Sequence, residues 1–212
     1  MKALFIVPYP FDCVPGQRLK FEQYFSHFIT SGIEFELCPF ISRNFYKILY
    51  KEGRYLEKVI YTLAGYFYRL ENIWRARKFD VIYIYLNASP LGPPIFEYIL
   101  KMMGKPIIYD FDDTIYLPHS SKANRVIEFL KCFWKFHKII KLSDRVIVVT
   151  KYLEEYVKKY NKNVTLIPPT VDTERYGLKN FNISNMSKKI CIGWSGSHST
   201  SEYLNMLKGA LT

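Results

Sequence analysis

The 212-residue chain is short of several features that would settle its class early. Its four cysteines, Cys13, Cys38, Cys132 and Cys191, form no C-x-x-C pair and no Cys/His cluster at zinc spacing. That excludes a disulfide scaffold and a zinc module, and leaves reduced, mostly buried thiols as the expectation. No stretch reaches the roughly 18 consecutive apolar residues of a spanning helix. The apolar start Ala3–Val7 runs into Pro8-Tyr9-Pro10 and is too short for the core of a signal peptide. A cytoplasmic protein that is not integral to a membrane is therefore expected. Internal repeats and low-complexity tracts are also missing. What is present is globular: 49% of residues are hydrophobic and 17% aromatic, more than a disordered chain carries. The chain is long enough to bury a full core without a metal or disulfide staple.

Acidic residues are the other shortage. Lys and Arg number 30 against 19 Asp and Glu, a net charge of +11. The excess sits in two places. Residues 43–79 hold nine basic and three acidic residues, residues 122–141 six and one, and the rest of the chain is balanced. Both segments interleave their charge with aromatics, such as Tyr46, Tyr55, Phe67 and Trp74 in the first and Phe129, Phe133, Trp134 and Phe136 in the second. In 126–140, Val126, Phe129, Phe133, Phe136 and Ile140 recur at helical spacing and leave Lys131, Lys135 and Lys138 mainly to the other face. Basic helices with rings at the boundary suit an anionic membrane surface. Phosphate neutralisation and base stacking would suit nucleic acid, and a solvated face over an ordinary core is the plain alternative. The expectation taken forward is an anionic membrane surface and no nucleic acid.

Short apolar strands alternate with helices along the chain. Strands are expected at 2–8, 33–40, 80–86, 106–109, 145–149 and 164–167, with helices at 17–30, 92–103, 122–142 and 151–160 and a basic helical segment before the third strand. This is the pattern of an α/β fold with a parallel, doubly wound sheet covered on both faces. Around Pro168-Pro169 it breaks. Residues 170–187 read as a polar linker, after which Lys189–Trp194 and a helix from Thr200 read as the first strand and helix of a second α/β domain. The expected division is a domain over 1–169, a linker over 170–187 and the start of a truncated domain over 188–212.

In such sheets ligands bind at the carboxyl ends of the strands, so the polar residues there are the candidates. After the first strand, Gly16 allows close backbone approach, and Gln17 and Arg18 open the next helix, where an anion is favoured. After the fourth strand come Asp110, Asp112 and Asp113. Three carboxylates in four positions repel one another unless they bind a cation, hydrogen-bond a polyol or share a proton at a raised pKa. Four apolar residues before Asp-x-Asp-x-Thr also resemble the first motif of haloacid dehalogenase-like phosphohydrolases, with Asp110 as nucleophile and Asp112 as acid/base. Three strands precede it here, whereas that family places it on the first.

The later segments point elsewhere. Leu142-Ser-Asp-Arg-Val-Ile-Val-Val-Thr-Lys and Ile167-Pro-Pro-Thr-Val-Asp172, with Tyr176 beyond, resemble the N-terminal half of family-4 glycosyltransferases of the GT-B fold. Pro15-Gly-Gln-Arg18, Tyr109-Asp-Phe-Asp-Asp-Thr114 and Ile192-Gly-Trp-Ser-Gly-Ser197 fall in the order of one subgroup. The resemblance implies a Rossmann-like acceptor domain and transfer of a sugar from a nucleotide-sugar donor, as co-substrate, to a glycan or lipid-linked acceptor, with no cofactor and no essential metal. On it, Gly16, Gln17 and Arg18 would bind acceptor or phosphate, and Asp110, Asp112 and Asp113 would line the catalytic cleft. Gly193, Ser195 and Gly196 would face the donor diphosphate. It also implies work at the inner face of a membrane, and leaves a non-catalytic membrane-surface module as a further alternative. Thr170 stands where the family has Gly and Pro169 where it has Asn. The family's paired donor-site glutamates do not occur in these residues, so the chain taken alone is expected to be inactive unless a separate chain supplies them.

Overall fold

A computed structural model describes residues 1–114, 131–174, 193–194 and 204–211. The chain divides into two compact units, Met1–Asp172 and Thr173–Thr212. In the first unit the strands are β1 (Lys2–Val7), β2 (Glu34–Pro39), β3 (Val81–Tyr85), β4 (Ile107–Asp110), β5 (Arg145–Val148) and β6 (Val164–Leu166). They form one sheet in the order β2-β1-β3-β4-β5-β6, and every neighbouring pair is parallel. Among the described residues, the helices of this unit are α1 (Pro15–Lys20), α2 (Phe25–Thr30), α3 (Arg43–Leu49), α4 (Tyr55–Arg75), α5 (Ile95–Met102), α6 (Lys135–Leu142) and α7 (Lys151–Lys158).

Alternation along the strands builds two cores. Leu4, Ile6, Ile82, Ile84, Ile107 and Val146 point to the face covered by α4 to α7. Ala3, Phe5, Val7, Tyr83 and Tyr85 point to the other, where Phe21 and Phe25 cover them. Strands buried on both faces read as apolar runs, which is why all six expected strands are found within a residue or two.

Two helices differ from expectation. The helix expected over 17–30 is broken. Phe21 leaves helical geometry (φ −144°, ψ −29°), a short 3-10 turn spans Glu22–Tyr24, and α2 follows. The break turns the Phe21 ring onto Phe5, Tyr83 and Tyr85, at centroid distances of 5.5, 5.3 and 5.5 Å. The helix expected over 122–142 is described only at its end, as α6, and residues 115–130 lie outside the described residues. In the second unit, Lys208–Leu211 forms a short helix, α8, and Gly193 and Trp194 are exposed. The strand and helix start expected over 189–203 otherwise lie outside the described residues.

The Leu142-Ser-Asp-Arg segment has a plain structural use. The Asp144 carboxylate accepts from the Ile107 amide at 2.8 Å and from Lys101 Nζ at 2.7 Å, fastening β4 to β5. Thr150 caps α7 by accepting from the Leu153 amide.

Candidate functional site

β1 leads to β2 on one side and β3 leads to β4 on the other, so the strand order reverses between β1 and β3, the place where sheets of this kind form a ligand crevice above their carboxyl ends. The chain leaves β3 through a strained turn: Leu86 has φ +61°, and the Asn87 amide donates to the Tyr85 carbonyl two residues back at 2.8 Å. A bulky residue in the left-handed region is uncommon and is often held that way at binding sites.

Gly16, at the start of α1, sits against this turn. A Cβ on Gly16 would lie 2.7 Å from Tyr85 Oη and 3.2 Å from Asp112 Oδ2. Glycine is thus needed for the loop after β1 to approach the loops after β3 and β4. Tyr85 donates to Asp112 Oδ2 at 2.7 Å, and the Tyr85 hydroxyl pKa is raised by burial and by that carboxylate. Gly16, Tyr85 and Asp112 are therefore in one place.

The rest of the first loop is an internal scaffold. Gln17 is fully buried, bonds both the amide and the carbonyl of Tyr9 at 3.0 Å, and donates to Glu22 Oε1 at 3.0 Å. Glu22 in turn accepts from the Asp12 amide, and burial raises its pKa. Arg18 is paired with Asp12 at 2.7 Å.

The three aspartates divide. Asp110 is 1% exposed and points into the sheet face. Its carboxylate pairs with buried Lys20 Nζ at 2.9 Å and accepts from the Tyr83 hydroxyl. Burial raises its pKa, opposed by the Lys20 charge. Asp112 is half-buried at the rim and, among the described residues, takes no partner besides Tyr85. Asp113 is exposed and accepts from the Thr114 amide. Among the described residues, no group of three or more His, Cys, Asp or Glu side chains is arranged to hold a metal ion. Ser195 and Gly196 lie outside the described residues, and described Gly193 has open space around it.

A cavity of about 450 Å³ lies on the sheet face beside this crevice. Phe5, Phe21, Phe28 and Ile147 line it together with Lys20 and Asp110, while Gly16, Tyr85 and Asp112 do not. It is mostly apolar, with His27, Tyr24 and Tyr83 lining it besides the ion pair. The crevice, with its carboxylate and hydroxyl, is the better place for a polar ligand.

Sequence reasoning missed what holds the crevice from behind. Arg69 of α4 is 1% exposed and donates to the carbonyls of Val7 (3.1 Å), Cys38 (2.9 Å) and Ala88 (2.7 Å). It thereby ties the carboxyl ends of β1 and β2 to the loop after β3. Lys135 of α6, also 1% exposed, donates to Ser89 and Pro90 of that loop at 2.8 and 3.1 Å. Glu97 accepts from the Ala88 amide at 2.9 Å. Burial lowers Lys135 to about 8 and Arg69 to about 10, against the pull of Glu97, and raises Glu97. One signal was available: Gly65, Arg69, Asn72 and Ala76 share a helical face, and Gly65 lets that face approach Phe40, whose ring would be 2.7 Å from an added Cβ.

The turn after β6 shows how one departure from the family pattern is used. Gln23 donates to both the carbonyl and the hydroxyl of Thr170 at 3.1 Å, and Tyr24 shares a hydrogen bond with the same hydroxyl. Glycine there would lose the hydroxyl contacts.

An all-parallel sheet with polar loops gathered at its switch point defines a Rossmann-like α/β domain. Residues 26–175 match the model of Glycosyltransferase Family 4. The match spans more than half of the chain, which belongs to that family. It includes Asp110, Asp112 and Asp113, begins after Gly16, Gln17 and Arg18, and sets aside the phosphohydrolase reading of Asp110 and Asp112. No curated protein matches the chain.

Proposed function

We propose that the chain serves transfer of a sugar from a nucleotide-sugar donor to a glycan or lipid-linked acceptor at the cytoplasmic face of a membrane, and that the crevice is its acceptor side. The supporting observation is the meeting of Gly16, Tyr85 and Asp112 at the switch point. A half-exposed carboxylate fixed by a tyrosine hydroxyl is a good acceptor for sugar hydroxyls. Asp112 is the group we assign to acceptor hydroxyls, with Asp113 beside it, and Arg18, which pairs with Asp12, is assigned to acceptor or phosphate. Asp110, paired with Lys20, holds β4 and the α1 end in register. The donor diphosphate is assigned to the loop of Gly193, Ser195 and Gly196, with the remaining donor contacts from a further domain or a separate chain. On this reading the 212 residues alone turn over no nucleotide sugar.

The test uses the purified chain with a panel of UDP-, GDP- and dTDP-sugars and a panel of oligosaccharides. The expected result is no donor turnover, together with oligosaccharide binding that weakens about tenfold in Asp112→Asn and is lost in Gly16→Val, the far-ultraviolet circular dichroism being unchanged. Donor turnover faster than about 1 s⁻¹, or oligosaccharide binding equal in parent and both variants, would refute the assignment.

A further inference from the structure

α4 carries Leu56, Ile60, Leu63, Phe67, Leu70 and Trp74 at alternating intervals of four and three residues. All six are more than half exposed, and they form a stripe about 27 Å long at 1.5 Å per residue. The opposite side of the helix holds buried Gly65, Arg69, Asn72 and Ile73. The apolar period of this helix thus faces outward, and its small and polar residues face the core. Neighbouring α5 adds exposed Ile95, Tyr98 and Met102, the last at 85%. Leu70 and Ile95 line one shallow groove of about 290 Å³ between the two helices, so the apolar surface is continuous across them. Soluble monomers seldom expose so large an apolar patch, and one of this size marks an interaction surface.

The surroundings of the patch are cationic. Exposed Arg77 and Lys78 stand at one end of the stripe, and exposed Lys51 and Arg54 stand with exposed Glu52 at the other. The acids on α4 are offset: Glu57 pairs with Arg54 at 3.5 Å and Glu71 with Arg75 at 4.0 Å. Tyr55, Tyr68 and Trp74 are exposed among the aliphatic residues, and such rings favour the boundary between apolar and aqueous phases.

We propose that the outer face of α4 and α5 docks in the plane of a bilayer surface bearing anionic headgroups. The aliphatic stripe enters the acyl boundary, and Lys51, Arg77 and Lys78 meet the phosphates. A helix from a second copy of the chain is the competing occupant, because a strict four-three repeat also suits a helix pair. One partner helix covers one stripe, however, and would leave Ile95, Tyr98 and Met102 in water. A flat surface covers both helices. The docking face deepens the reading of a membrane-presented acceptor but rests on α4 and α5 alone, so failure of the transfer assay leaves it standing.

The experiment is flotation of the whole chain with phosphatidylcholine vesicles, with and without about one third phosphatidylglycerol. Binding should be at least tenfold stronger to the anionic vesicles and should fall as salt rises. Leu63→Glu/Phe67→Glu should lose binding tenfold or more to both vesicle types. Arg77→Glu/Lys78→Glu should weaken binding to the anionic vesicles only. Thermal unfolding of each variant checks that the fold survives, and if the glutamate pair is unstable, Phe67→Ser replaces it with a smaller loss expected. Binding unchanged by the stripe variants overturns the proposal. So does a concentration-dependent dimer that Phe67→Glu splits, in a chain that does not float.

Discussion

α4 and α6 come from the two segments that look alike in composition, basic and laced with aromatics, and the structure uses them in opposite ways. α6 is an ordinary amphipathic helix. Phe136, Ile139 and Ile140 are buried, and Lys138 and Lys141 are exposed. α4 buries Arg69 and Asn72 and turns Phe67, 72% exposed, to the outside. Each also sends one cation inward to the loop after β3, Arg69 from one side and Lys135 from the other. Composition therefore locates basic helices, but the burial of each helix decides whether its apolar residues make a core or a docking face.

The largest effects that separate the two helices are on stability. Arg69→Ala takes a donor from the carbonyls of Val7, Cys38 and Ala88 and removes a cation near buried Glu97, so a loss of about 3–5 kcal/mol is expected in denaturant unfolding. Phe136→Ala should cost a similar amount, about 3–5 kcal/mol. Phe67→Ala and Lys138→Ala should each stay within about 0.5 kcal/mol of the parent. Equal costs for Phe67→Ala and Phe136→Ala would break the comparison.

A smaller effect sharpens it. Lys135 titrates at about 8 when folded and at the ordinary lysine value when unfolded. Below pH 8 both states hold the proton. Between about pH 8 and 10.5 the unfolded state binds more protons, so this group's contribution to stability rises with pH. The stability of the parent minus that of Lys135→Met should therefore grow by on the order of 2 kcal/mol from pH 8 to 10. A flat difference would mean that Lys135 is solvated like its exposed neighbours on α6.

Much of the fold was legible because strands buried on both faces are apolar runs, and six of them stood out. The break at Phe21 was not, because its ring is turned by Phe5, Tyr83 and Tyr85, which are distant in sequence. The outward face of α4 was hidden for a related reason. An apolar repeat says that a helix has an apolar face, and says nothing of what lies against it. Gly65 in register with Arg69 was the clue, since a glycine on the row of a buried arginine marks where a helix closes on its neighbour. At the crevice, the aspartate cluster after β4 was visible as chemistry. Its division between Asp110, held by Lys20, and Asp112, held by Tyr85, depends on partners no local pattern reveals.

The opposite orientation of the two helices is tested most directly by hydroxyl-radical footprinting of the free chain in solution, read at single residues. Phe67, 72% exposed, should be oxidised many times faster than Phe136, 6% exposed, and vesicles with anionic lipid should slow oxidation of Phe67, Leu63 and Met102 while leaving Trp134 unchanged. Equal oxidation of Phe67 and Phe136 in the free chain would contradict the account.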